Sequence, residues 1–142
     1  MPARSRVPSH NEIERLQMLA SFVVFIGCGI GGIARHLLNA GIMKAVGTSF
    51  PIGILLINVI GSTAMGLIAG WFAFKGHASQ EVRLFLTTGL LGGFTTFSTF
   101  SLDAALLYER GQHWLAVTYV LASVALALMG LFAGMWAMRA MT

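Results

Sequence analysis

Four long apolar stretches, separated by short polar linkers, constrain the fold of this 142-residue chain more than any other feature. They occupy, approximately, residues 18–37, 50–74, 84–107 and 114–138. The second and fourth carry no charged residue, and the third carries only Asp103. A helix needs about 20 apolar residues to cross the hydrocarbon core of a bilayer. The sequence therefore predicts an all-α integral membrane protein with four transmembrane helices.

The composition excludes several other classes of protein. Only 10% of the residues are charged, whereas a soluble domain has about 25%. The nine Lys and Arg residues are dispersed, without the basic face that nucleic-acid binding requires. No His, Cys or paired-carboxylate constellation lies inside the spans, so enzyme activity is not expected.

Two parts of the chain differ in character. Residues 1–17 form a polar tail, predicted to be mobile or interfacial, and residues 18–142 form the membrane domain. Each span contains two glycines four residues apart, a spacing that lets helix backbones approach closely. These pairs predict tight helix packing; they are Gly27/Gly31, Gly66/Gly70, Gly89/Gly93 and Gly130/Gly134.

Two polar side chains within or beside the first two spans have alternative interpretations. Arg35, at the predicted end of the first span, either extends to the membrane surface or attracts anions to a pore mouth. Asn58, in the middle of the second span, either forms an interhelical hydrogen bond or offers its amide N–H groups to a small anion. The residues alone leave both choices open.

The centre of the third span has an unusual sequence, GGFTTFSTFS at residues 92–101. Paired glycines followed by paired threonines are poor helix formers, so we expect the helix to break there. Irregular backbone at membrane depth is tolerated only where protein or a cavity covers it. Broken helices at the midplane commonly form ion sites.

Aromatic and hydroxyl side chains alternate after the predicted break. Phe94, Phe97 and Phe100 recur every three residues, and such a stripe is either core packing or a row of ring edges whose positive partial charge can face an anion. The hydroxyls of Ser98 and Thr99 can donate to the same ion. In the fourth span Tyr119 and Ser123 lie one turn apart, on one helix face; these and Thr118 are further hydroxyl donors.

Residues 92–101 closely resemble the GG-x-[ST]-TFSTFS signature of the CrcB/Fluc family of fluoride ion channels. Residues 53–66 are similar to the family's G-T-L-x-x-N-x-x-G segment, with Asn58 in place and Ile54 replacing the usual Thr. Residues 29–35 are similar to its first-span element that ends in Arg. Tyr119 and Ser123 match two members of the family's polar track, whose third member falls at Ala127.

The resemblance implies a passive, fluoride-selective channel in the bacterial inner membrane that lets toxic fluoride leave the cytoplasm. It implies an antiparallel, dual-topology homodimer with one structural Na⁺ at its centre, held by the backbone carbonyls of Gly92 and Thr95. The implied fluoride pathway is lined by Asn58, Phe97, Phe100, Ser98, Thr99, Tyr119 and Ser123, with Arg35 at the vestibule.

The distribution of basic residues is compatible with a dual topology. In a four-span arrangement, six Lys and Arg residues lie on the side of the termini and three on the other side. Without Arg4 and Arg6, which are far from the first span, the counts are four and three. The positive-inside rule then gives little preference for either orientation.

The alternative function is a four-helix drug or cation exporter of the small multidrug resistance type. Such exporters need an acidic residue in the first span to bind a cation or proton, and the predicted first span has none. Asp103, the only acid within a span, is interpreted as lying near a water-filled vestibule. A non-transporting assembly subunit would not explain the hydroxyls and Asn58 at membrane depth.

Overall fold

The structure is a computed structural model that describes residues 9–47, 49–74 and 78–141. Its helices are α1 (His10–Val46), α2 (Ile52–Phe74), α3 (Gln80–Leu84), a π-helical segment (Phe85–Leu91), α4 (Gly92–Phe94), α5 (Phe97–Glu109) and α6 (His113–Ala140). Within the described residues, four helical segments are long and apolar enough to cross a membrane. They are His10–Val46, Ile52–Ala73, the interrupted Gln80–Glu109 and His113–Ala140. The predicted all-helical fold with four spans is confirmed.

Helix α1 is longer than the sequence predicted at both ends. It begins with a capping box in which the Ser9 hydroxyl accepts from the Glu12 N–H and the Glu12 carboxylate accepts from the Ser9 N–H. It ends at Gly47, whose φ of 60° lies in the left-handed region that favours glycine. Residues 10–17, predicted as part of a mobile or interfacial tail, are therefore helical. Residues 1–8 lie outside the described residues.

The third span consists of four helical pieces. The short α3, the π-helical segment and α4 form its first half, and α5 forms the second half. Between them Thr95 (φ −83°, ψ 161°) and Thr96 (φ −154°, ψ 119°) are extended. Gly92 keeps helical angles, so the predicted break is present but lies at the two threonines rather than at the two glycines.

Glycines allow close contacts between the helices. In α1, a Cβ at Gly27 would lie 2.8 Å from the Gly89 Cα, and one at Gly31 would overlap the Leu90 carbonyl oxygen. In α6, a Cβ at Gly134 would lie 2.5 Å from the Thr63 carbonyl oxygen of α2. These approaches hold α1 against the first half of the third span and α6 against α2, as the glycine spacing predicted.

The buried apolar cluster lies beside the second half of the third span. It joins residues of α2, α5 and α6, namely Ile54, Leu55, Phe100, Leu107, Ala116 and Tyr119. This packing fixes the orientation of α5 relative to α2 and α6. The first turn of α5 therefore faces these two helices at the level of the break.

Candidate functional site

The break in the third span leaves backbone groups of both kinds without helical partners. The first N–H groups of a helix have no intrahelical acceptor, and in α5 these belong to Phe97 and Ser98, because the Thr99 N–H donates to the Thr96 hydroxyl at 3.2 Å. On the other side, the Gly92 carbonyl loses the N–H four residues ahead, since the Thr96 N–H donates to Asn58. The break thus presents N–H donors at one end and a carbonyl acceptor at the other.

The Asn58 side chain of α2 forms two hydrogen bonds with the backbone of Thr96. Its Nδ2 donates to the Thr96 carbonyl at 3.1 Å, and its Oδ1 accepts from the Thr96 N–H at 2.9 Å. The interhelical hydrogen bond considered from the sequence is therefore present. The second N–H of the same amide has no hydrogen bond among the described residues, so the interaction with Thr96 leaves one donor for an anion.

Arg35 lies near the break rather than at a helix end. Helix α1 continues for eleven residues beyond it, to Val46, and its Nη1 donates to the Thr95 carbonyl at 3.2 Å. The apolar pattern ends at Arg35 while the helix does not, so the end of the first span at Arg35 stays a prediction. The guanidinium places a positive charge against the polar backbone of the break.

A cavity of about 240 Å³ lies at the break. Its walls come from three elements: the break and first turn of α5, helix α2 and helix α6. The lining residues are Asn58, Ser62, Thr95, Thr96, Phe97, Phe100, Ser123, Val124 and Ala127. Four side chains predicted to contact the ion, those of Asn58, Phe97, Phe100 and Ser123, are thus brought together.

The three phenylalanines of the predicted stripe separate into two groups. The Phe97 and Phe100 rings lie 5.4 Å apart and both line the cavity. Phe94 precedes the break, and its ring lies beside Gly61 of α2 instead. The extended backbone at Thr95 and Thr96 interrupts the helical spacing, so the expectation of a common face holds only for the last two rings.

The hydroxyls of the first turn of α5 form a small network around Thr96. The Thr96 hydroxyl donates to Thr99 Oγ1 at 3.1 Å, and it lies 3.3 Å from Ser98 Oγ. Neither Ser98 nor Thr99 lines the cavity. Thr96 itself does so, and its importance as the N-cap of α5 was missed; the signal was a Thr, a favoured N-cap residue, directly after the predicted break.

Tyr119 is fully buried beyond Phe100, outside the cavity lining. Its ring lies 5.3 Å from Phe100, and its hydroxyl donates to Asp103 Oδ2 at 3.4 Å. Asp103 lines a second cavity of about 180 Å³ together with Arg110 and Ser49. Phe100 and Tyr119 therefore lie between the cavity at the break and a polar cavity near the helix ends, where a vestibule was expected for Asp103.

Ser123 of α6 is the one predicted residue with an unsatisfied buried hydroxyl. Only 5% of the residue is exposed, and its Oγ has no hydrogen-bond partner among the described residues. A buried hydroxyl without a partner is costly, so this oxygen is suited to a ligand in the cavity. One turn further along α6, Ala127 lines the same cavity with a methyl group.

These features define a class of protein. An interrupted membrane helix with its break covered by an amide, an arginine and hydroxyls is the arrangement of a small ion-transport protein. Residues 22–135 match the family described as "CrcB-like protein, Camphor Resistance (CrcB)". The chain belongs to this CrcB-like family.

Curated proteins named as fluoride channels match this chain over most of their length. A protein of Rhodopseudomonas palustris strain BisB5, named "Fluoride-specific ion channel FluC", is 62% identical over 120 residues, which cover 84% of this chain and 97% of the relative. "Fluoride-specific ion channel FluC 2" of Nitrobacter hamburgensis is 57% identical, and the match again covers 84% of this chain and 97% of the relative. A "Fluoride-specific ion channel FluC" of Methylobacterium nodulans is 54% identical over 122 residues, which cover 86% of this chain and 98% of the relative.

Proposed function

We infer that this chain is a fluoride-selective ion channel and a multi-pass protein of the bacterial membrane. The observation that carries this conclusion is 62% identity, over nearly the full length of the relative, to a protein named as a fluoride-specific channel. The chain is accordingly a channel and not an enzyme. The comparisons support this function and not the multidrug exporter considered as the alternative.

The cavity at the break has the donors that a small anion requires. The α5 N-terminus, with its partial positive charge, lies at this cavity through Thr96 and Phe97. The remaining Asn58 N–H and the Ser123 hydroxyl are neutral donors, and the Phe97 and Phe100 ring edges add positive partial charge. Neutral donors replace part of the hydration of the ion without binding it as strongly as a lysine would, so the ion can leave again.

We assign the cavity to the fluoride pathway, with Phe100 and Tyr119 between it and the cavity at Asp103. In this proposal Ser98 and Thr99 act indirectly, because their hydroxyls hold Thr96 rather than line the cavity. Arg35 contributes a positive field at the break. These roles involve the residues that the resemblance implies, except that Arg35 would act at the break rather than at a vestibule.

Purified protein in liposomes tests the function directly. We expect rapid fluoride efflux once the membrane potential is cancelled by a potassium ionophore, and little efflux of chloride under the same gradient. A fluoride electrode and a chloride electrode measure the two rates. Equal rates for both anions would contradict a fluoride-selective channel, and protein-free liposomes give the background.

We propose that two chains form an antiparallel homodimer. Gly92 and Ser98 are exposed, and Phe97 is 79% exposed beside them. Lipid cannot satisfy the polar backbone of a break at membrane depth, and a second chain would cover the side of the break that stays exposed. A two-fold axis in the membrane plane brings the break of one chain to the break of its partner.

The antiparallel arrangement predicts both orientations of the chain in one membrane. With Arg4, Arg6 and the inward-turned Arg35 left out, four Lys and Arg residues flank the spans on the side of the termini and two on the other side, which is a weak bias. C-terminal reporter fusions should therefore be active on both sides. A single uniform orientation would rule out the antiparallel pair.

The same axis supports the proposal of one structural Na⁺ per dimer. Among the described residues no group of three or more His, Cys, Asp or Glu side chains could hold a metal, so a cation would be bound by backbone oxygens, which are ligands suited to Na⁺. The Gly92 carbonyl fits this role because it has lost its helical donor. The Thr95 carbonyl accepts from Arg35 and has a second lone pair.

Gly92 and Thr95 of both chains would hold the ion, which when bound supplies positive charge at the centre of the dimer. A sodium-free arm of the liposome assay, with protein purified in N-methylglucamine salts, tests this proposal. Fluoride efflux should fall without sodium and return when sodium is added. Equal efflux in both salts, with no sodium found in the purified dimer, would contradict it.

A further inference from the structure

The cavity at the break contains one more serine, Ser62 of α2. The sequence alone did not indicate a role for it. Ser62 lines this cavity, opposite the α6 residues Ser123 and Ala127. It follows Asn58 by four residues and therefore lies on the same face of α2. The two polar side chains of α2 that reach the cavity are thus stacked one turn apart.

The Ser62 hydroxyl is free, unlike several hydroxyls around it. Serine and threonine in a helix often donate to the carbonyl four residues back, as Thr63 does to Val59 at 2.8 Å and Thr95 does to Leu91 at 2.9 Å. No such bond, and no other hydrogen bond, involves Ser62 among the described residues. Its half-buried side chain leaves the hydroxyl available to an occupant of the cavity.

Ser62 also lies at the level where α6 lacks a hydroxyl. Helices α2 and α6 run in the same direction, because Gly66 faces Leu131 and Gly70 faces Met138. Ser62 is one turn beyond Asn58, and Ala127 is one turn beyond Ser123, so the two residues are displaced the same way along the cavity. The wall formed by α2 therefore offers a donor where the wall formed by α6 offers a methyl group.

We propose that Ser62 Oγ is a direct hydrogen-bond donor to the permeating anion, at the level where Ala127 has none. The proposal rests on the fluoride channel function inferred above. It extends the row of donors in the cavity from Asn58 and Ser123 by one helical turn. The anion would then be passed along α2 rather than α6 over this part of its path.

The Ser62→Ala variant tests the proposal in the liposome assay. We expect fluoride efflux to fall about tenfold, the effect of losing one hydrogen bond to a charged group, with the oligomeric state on size-exclusion chromatography unchanged. Adding Ala127→Ser should restore the efflux by returning a hydroxyl to the same level. Thr63→Val is the matched control, since the Thr63 hydroxyl is bonded to its own helix, and it should conduct like the unaltered protein.

The outcomes separate this proposal from the function on which it rests. If the unaltered protein does not conduct fluoride in preference to chloride, the proposed function fails. If it conducts and Ser62→Ala conducts equally, the assignment of Ser62 is overturned. The assignment is also overturned if Thr63→Val reduces efflux as much as Ser62→Ala, or if Ala127→Ser restores nothing.

Discussion

Replacement of Asn58 by Ala is expected to abolish most fluoride efflux. The Asn58 amide binds both the N–H and the carbonyl of Thr96. Its loss leaves these two buried backbone groups without partners, which lowers the stability of the fold by about 1–3 kcal/mol for each group. It also removes a donor from the cavity. Efflux from liposomes, normalised to the amount of folded protein measured by size-exclusion chromatography, should fall about ten- to a hundredfold, because losing a hydrogen bond to a charged group costs about 1.5–3 kcal/mol and each 1.4 kcal/mol corresponds to a factor of ten.

The Asn58→Asp variant separates the two roles of the amide. An aspartate retains an acceptor for the Thr96 N–H but removes both N–H donors and adds a negative charge. It should still form dimer while conducting as little as Asn58→Ala. If Asn58→Ala lost its folded dimer but kept its flux per dimer, the side chain would serve packing only and the pathway assignment would be wrong.

The number and type of spans could be predicted because they depend on the local apolar content. A helix that crosses a bilayer must carry about 20 apolar residues, and each such run is visible in the sequence without knowledge of its neighbours. The ends of α1 were predicted poorly because apolar content does not determine them. Its first turns are polar and are held by the capping box at Ser9 and Glu12, and its last turns continue past Arg35 into a less apolar segment.

The position of the break was predicted to within a few residues, but its partners were not. Gly92 and Gly93 are weak helix formers, yet Gly93 is required for another reason, because a Cβ there would lie 2.5 Å from the Cys28 carbonyl oxygen of α1. The extended conformation occurs at Thr95 and Thr96, where Arg35 and Asn58 from two other spans bind the carbonyls. Such contacts between residues far apart in the chain have no local pattern in the sequence.

The cavity shows the same division between local and distant information. Phe97 and Phe100 were predicted together because they share a helix face, and they line the cavity together. The position of Tyr119 behind Phe100 depends on its contact with Asp103 sixteen residues away, which spacing alone did not reveal. Ser62 was missed because one hydroxyl in an apolar helix is usually bonded to its own backbone.

Replacement of Gly31 by Ala should strongly destabilise the protein. The added Cβ would overlap the Leu90 carbonyl oxygen and lie 2.8 Å from the Phe94 backbone nitrogen. Both atoms belong to backbone, which cannot rotate away as a side chain can, so α1 and the first half of the third span must separate. Overpacking of this kind costs about 1–3 kcal/mol or more. The temperature at which the detergent-solubilised protein loses its size-exclusion peak should fall clearly.

Gly29→Ala is the matched control for this prediction. Gly29 lies on the same helix, two residues away, and a Cβ there would meet nothing within 4 Å. The change should leave the protein unaltered or stabilise it, since Ala is favoured over Gly in a helix by about 1 kcal/mol. Because Gly31 faces the segment that ends at the break, Gly31→Ala should also displace Thr95 relative to Arg35 and reduce fluoride efflux in the protein that remains folded. Equal thermal stability of the two variants would show that the α1 backbone does not approach the third span as closely as the structure has it.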